Sequence, residues 1–134
     1  MAEILGYSNS FTGPATTLEV NDPFCYAYSG PVQSAAGGGS FDGLIFDFTT
    51  GNYLADINLN YTVANAGAQD IYVRVKLNDS IIMQVAYSQS DHLDGNGNLP
   101  LNFIIPAYTK FKMEWGIDSV TKDMYSLITG RIHK

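Results

Sequence analysis

Apolar and polar residues alternate along most of this chain. In LADINLNYTV (54–63), Ala55, Ile57, Leu59, Tyr61 and Val63 fall on one face, and Asp56, Asn58, Asn60 and Thr62 fall on the other. A period of two with one wet face is the pattern of a half-buried antiparallel strand. DIYVRVKL (70–77) repeats it, with Ile71, Val73, Val75 and Leu77 inward and Tyr72, Arg74 and Lys76 outward. After the turn residues Asn78-Asp79-Ser80, IIMQVAY (81–87) resumes the period, so the two runs predict a β-hairpin. A polar, glycine-containing loop, SQSDHLDGNGN (88–98), separates this hairpin from LNFII (101–105). That short run is apolar at nearly every position and predicts a strand covered on both sides. Pro106 ends it, because proline cannot donate to a ladder. TKFKMEWGI (109–117) then alternates Thr109, Phe111, Met113, Trp115 and Ile117 against Lys110, Lys112 and Glu114. SVTKD makes a loop, and MYSLITGRI (124–132) supplies the last strand.

The first third is less regular. ATTLEV (15–20), PFCYAYS (23–29) and FDGLIFDF (41–48) are strand-like, and GPVQSAAGGGS (30–40) reads as a surface loop of small residues. Its glycines match neither the P-loop nor the dinucleotide spacing, and no Lys-Ser/Thr follows them. No stretch sustains a helical period with caps, and no internal repeat of 20–50 residues is visible. Eight to ten short strands in one domain predict an all-β protein, a sandwich or barrel, of which an antiparallel β-sandwich is the expected form.

Length and charge narrow the function. The 134 residues suit a single domain, and with 46% apolar residues the chain has enough material for a core. The net charge is −6, and the seven basic residues are scattered singly. A nucleic-acid backbone or an anionic membrane needs clustered Lys and Arg, so neither is an expected partner. No apolar run approaches the ~20 residues of a helical membrane span, and MAEILGYSNSF lacks the basic and apolar regions of a signal peptide. The triplets at Asn60 and Asn78 that match a glycosylation acceptor are then read as chance.

Catalysis is poorly supplied. The two histidines are His92, in the polar loop, and His133, next to the end of the sequence. Cys25, the single cysteine, sits in the aromatic run Phe24-Cys25-Tyr26 and reads as a small buried thiol. No H-E-x-x-H, C-x-x-C or G-x-S-x-G spacing occurs. We therefore expect no enzyme, no metal and no cofactor. The segment DHLDGNGN (91–98) gathers Asp91, Asp94, Asn96 and Asn98, oxygen ligands of the kind calcium takes, but it fails the EF-hand spacing and is also ordinary turn chemistry. Trp115 falls on the inward face beside Phe111 and Met113, which makes it core. Tyr26 and Tyr28 alternate with Cys25 and Ala27, and suit a subunit interface, where tyrosine is enriched.

From residue 41 to 132 the succession FDFTTGNYLADINLNYTV, a hairpin, LPLNFIIPAYTKFKMEW and YSLITGRI resembles the jelly-roll subunits of the tumour-necrosis-factor/C1q-like class. The phrases IIPAYT and ITGRI also resemble small structural proteins of marine phages. The resemblance implies a jelly roll that forms a homotrimer on the exterior of a virion, bound to a major capsid protein as a decoration or cement protein. It implies a trimer interface that includes Phe103, Ile104, Tyr26 and Tyr28. The jelly roll would occupy residues 23–134. Residues 1–22 have no counterpart in the compact class and are expected to be an extension, with Ile4, Leu5, Tyr7 and Phe11 contacting the capsid. The alternative is a carbohydrate- or receptor-binding module of the same fold, using loops 30–40 and 88–98.

Overall fold

The computed structural model describes residues 13–34, 40–63, 70–87, 101–118 and 121–134. They form ten strands: β1 (Glu19–Asn21), β2 (Phe24–Tyr28), β3 (Val32–Ser34), β4 (Gly43–Thr49), β5 (Leu54–Val63), β6 (Ile71–Leu77), β7 (Ser80–Tyr87), β8 (Leu101–Ile105), β9 (Lys110–Ile117) and β10 (Lys122–His133). One sheet runs β1-β2-β10-β5-β8, with β3 also on β10, and the other runs β4-β9-β6-β7. Every pairing between named strands is antiparallel.

The pairs are nested. β6 pairs β7, β5 pairs β8, β4 pairs β9 and β2 pairs β10, with successive pairs falling in alternate sheets. A hairpin of hairpins wound in this way is a jelly roll. At its centre is the β6–β7 turn, whose residues Asn78 and Asp79 both take left-handed backbone angles (φ 49° and 68°), the mark of a type I′ turn. The Asn78 amide and side-chain oxygen both bond the backbone of Lys110, which pins the turn to the start of β9.

The inward faces of both sheets make one core. Ile57, Leu59, Ile128 and Met124 from the first sheet meet Phe46, Phe111, Met113, Trp115 and Val73 from the second, all fully buried. The three rings Phe46, Phe48 and Phe111 cluster, with Phe48 stacked on Phe111 at 5.2 Å. β10 and β5 approach closely at Gly130, where a Cβ would lie 2.1 Å from the Asp56 carbonyl oxygen. Any larger residue there would push the two strands apart.

Three expectations change. First, LNFII is not covered on both sides. Among the described residues β8 is an edge strand that pairs only β5; Leu101, Phe103 and Ile105 turn toward the core, and Asn102 and Ile104 lie open. Its apolar run reflects one core face plus a single outward isoleucine. Second, residues 13–22 belong to the sandwich and not to an extension. Ala15 and Leu18 are buried, Ala15 bridges to Phe46, and β1 extends the first sheet beyond β2. Ala15 donates its N–H to the Ile45 carbonyl, at a bulge in β4 where consecutive residues Ile45 and Phe46 are both buried. Third, the small-residue loop 30–40 contains β3.

Pro106 begins the passage from the first sheet to the second. Tyr108 takes a left-handed angle (φ 55°), and Thr50 holds the turn from the end of β4: its hydroxyl donates to the Pro106 carbonyl at 2.7 Å and accepts the Thr109 N–H at 2.9 Å. Both backbone groups lose their partner if that hydroxyl is removed. Thr50→Val is therefore expected to cost about 1–3 kcal/mol in urea unfolding, the penalty of unsatisfied buried polar groups, with its shape otherwise preserved. An unchanged unfolding midpoint would show that water satisfies the turn.

Candidate functional site: the outer face of the six-stranded sheet

Strand register decides which side chains share the outer face of this sheet. β10 places Leu127 beside Tyr28, Thr129 beside Tyr26 and Arg131 beside Phe24 on β2; on its other side the same residues meet Asn60, Asn58 and Asp56 of β5. β8 continues two of these rows, with Asn102 beside Asn58 and Ile104 beside Asp56. Six large apolar side chains stand open on this one surface: Ile104 (62% exposed), Phe24 (55%), Tyr26 (51%), Tyr28 (46%), Leu127 (40%) and Leu54 (36%). Phe24 and Ile104 are in one row but three strand spacings apart, about 14 Å. Aromatic residues thus gather at the β2 side, and an isoleucine stands at the β8 side.

Polar groups fill the space between them. Phe24, Tyr26, Asp56, Asn58, Thr129 and Arg131 line a shallow hollow. The Arg131 guanidinium carbon lies 5.1 Å from the centroid of the Phe24 ring, a cation–π contact. Arg131 and Asp56 are cross-strand neighbours, yet no ion pair joins them, and neither side chain has a hydrogen-bond partner among the described residues.

The outer face of the four-stranded sheet is built differently. Glu114 pairs with Arg74 at 2.9 Å and with Lys76 at 3.4 Å. Arg74 also lies 4.1 Å from the Phe41 ring, which packs edge-on against Tyr72. Tyr72 donates its hydroxyl to Asp118 at 3.0 Å. Tyr72, outward in its strand as expected, is thereby half-buried beneath Phe41. Asp47 and Lys112, cross-strand neighbours on this same face, form no ion pair among the described residues.

Of the four residues assigned to a subunit interface, Tyr26, Tyr28 and Ile104 share the open face. Phe103 does not. It points between the sheets, edge-on to Phe111 at 5.9 Å, because neighbours on a strand face opposite ways. Phe24, Leu127 and Arg131 complete the surface and were missed; their signal was the shared alternation of FCYAY with LITGR, visible only once those strands are known to pair. Ile4, Leu5, Tyr7, Phe11, Asp91, Asp94, Asn96 and Asn98 lie outside the described residues.

Cys25 faces the interior, and Trp115 is fully buried in the core. His133 lies three residues from Gly130, the cross-strand partner of Cys25, and so belongs to the opposite face of the sheet. No cluster of three or more His, Cys, Asp or Glu able to hold a metal occurs among the described residues.

No protein-family model matches the chain, and no curated protein is significantly similar to it. Among solved structures it is similar to infectious bursal disease virus VP2, in the crystal structure of the VP2 subviral particle, with a TM-score of 0.52 and 14% sequence identity. The match covers 87% of this chain and 34% of that one, so the chain spans about a third of the VP2 length. The likeness is one of fold. It places the jelly roll beside that of a virus-particle protein and lends nothing to a tumour-necrosis-factor/C1q-like or marine-phage membership.

Burial raises the Cys25 thiol above its usual range, and the nearby Asp56 charge adds to the effect. A raised folded-state value means that the stability from the neutral thiol is complete below its unfolded value, near 9.0, and is lost as pH rises through the folded one. Tyr72 is shifted the same way, first by its bond to Asp118, then by burial. Stability measured by urea unfolding is expected to fall as pH rises above about 9, and to fall less in Cys25→Ala. An equal fall in both proteins would exclude the thiol as a contributor.

Proposed function

We propose that this protein is a virion structural protein, a decoration or cement protein that forms trimers on the outer surface of a capsid. The observation that carries this reading is the open face of the six-stranded sheet. A jelly roll whose outward Phe24, Tyr26, Tyr28, Leu127 and Ile104 stand on one surface exposes that surface to subunit contact. Covering such an area releases about 25 cal/mol for each Å2 of apolar surface removed from water, and Tyr, Phe and Arg are the residues that specific interfaces favour. The likeness of its fold to a protein of a subviral particle supports the same reading. A protein that reinforces a shell works through interface area and shape, and needs no reaction centre.

In this reading the sheet face packs around a threefold axis, and residues 1–12 reach the major capsid protein through Ile4, Leu5, Tyr7 and Phe11. The second reading, a carbohydrate- or receptor-binding module, draws on the same open aromatic rings beside uncommitted Asn58 and Asp56.

Size-exclusion chromatography with light scattering is expected to give three times the 14.6 kDa chain mass. Ile104→Asp, which adds a charge to the open face without touching the core, is expected to reduce the mass to that of one chain. A wild-type monomer, or a variant that remains trimeric, would count against the interface. Removal of residues 1–12 is expected to leave unfolding cooperative and to abolish sedimentation with assembled capsids. Normal co-sedimentation of the shortened protein would show that the capsid contact lies elsewhere, and specific binding on a glycan array would favour the second reading.

A further inference from the structure

One row of the open face, Phe24–Arg131–Asp56–Ile104, is divided in both charge and shape. Its β2–β10 side carries Phe24 and the cation Arg131, and its β5–β8 side carries Ile104 and the anion Asp56; Glu19 of β1 stands one row away, beside Tyr26. Arg131 and Asp56 stand opposite each other in the ladder, where a cross-strand ion pair would be the simplest outcome. Instead the guanidinium lies against the Phe24 ring, on the side of Arg131 away from Asp56, and the carboxylate is left without a partner. Elsewhere among the described residues, Arg74, Lys76, Lys110 and Lys134 each have a carboxylate within 3.5 Å, whereas Lys112 and Lys122 have none. Arg131 is held in place but unpaired.

We infer that the missing partners are supplied by neighbouring copies: Arg131 of one chain pairs with Asp56 of the next, and the aromatic half of one face meets the Ile104 half of the other. This rests on the trimer reading above and specifies its contacts. In a threefold ring each interface joins two different patches, so every copy offers one patch to each neighbour. A face with unlike halves suits that arrangement, and a single sheet carries both. The ring then closes with three identical Arg131–Asp56 pairs, each flanked by Phe24, and no charge is left buried alone. The contact with Phe24 keeps the guanidinium on the open face, within reach of a carboxylate approaching from outside the chain.

The test is a charge exchange followed by light scattering. Arg131→Asp and Asp56→Arg, each alone, are expected to weaken trimer association at least about thirtyfold, the usual loss when one member of a buried charge pair is removed. The double variant, which restores opposite charges across the interface, is expected to recover a trimer. Both positions are on the outer face, so each single variant should unfold with native cooperativity by circular dichroism. Phe24→Leu, a conservative control for the platform, should weaken the trimer less than either reversal. Single reversals that remain trimeric at wild-type concentration overturn the pairing, as does a double variant no better than the singles. A wild-type mass other than three chains overturns the trimer reading itself, so the two failures are distinguishable.

Discussion

The buried indole of Trp115 is the contact on which the closure of this sandwich depends. It belongs to β9 of the four-stranded sheet, but its N–H donates to the Val32 carbonyl of β3, on the six-stranded sheet, at 3.0 Å. The ring has room because its cross-strand neighbour is Gly43, where a Cβ would fall 2.4 Å from the indole nitrogen. Val32 in turn contacts the segment that begins the described chain, since a Cβ at Gly13 would lie 2.5 Å from its side chain. From there Ala15 bonds to β4 and β1 joins β2. A single tryptophan thus connects both sheets to the N-terminal segment that packs along one side of the sandwich.

That closure has a consequence for folding. β2 pairs with β10 across about a hundred residues of chain, and β10 also carries β3 and β5. Nested pairings of this range assemble slowly, because chain entropy must be lost before the contacts form. β10 is the strand that joins the two halves of the six-stranded sheet. Buried Ser126 shows how tightly it is specified: its N–H bonds the Ser29 hydroxyl and its own hydroxyl donates to the Asn60 carbonyl.

The two outer faces are built differently. On the four-stranded sheet, Arg74, Lys76, Glu114, Tyr72 and Phe41 contact one another in one cluster, while Ile81 and Ile82 of β7 stand exposed. On the six-stranded sheet, aromatic rings and an isoleucine stand exposed, and Arg131 contacts Phe24 but forms no ion pair with Asp56. Net acidity keeps such a protein soluble while one face stays available. The proposed role in a capsid follows from that asymmetry more than from any pocket.

The alternation in LADINLNYTV, DIYVRVKL and KFKMEW was enough to define strands, their inward residues and the β6–β7 hairpin, because period two is set by the backbone itself. Trp115 and Cys25 were legible as core for the same reason. Sheet order was not legible: which strands become neighbours depends on contacts between residues far apart, as with Arg131 beside Phe24. LNFII was misread because an apolar run looks the same on a covered strand and on an edge strand that lends a residue to an outer surface. The local sequence therefore determined the strands and the two faces of each. Only the tertiary structure decided which faces meet inside and which group of side chains is left open, because that choice is made by long-range pairing and not by the chain's local period.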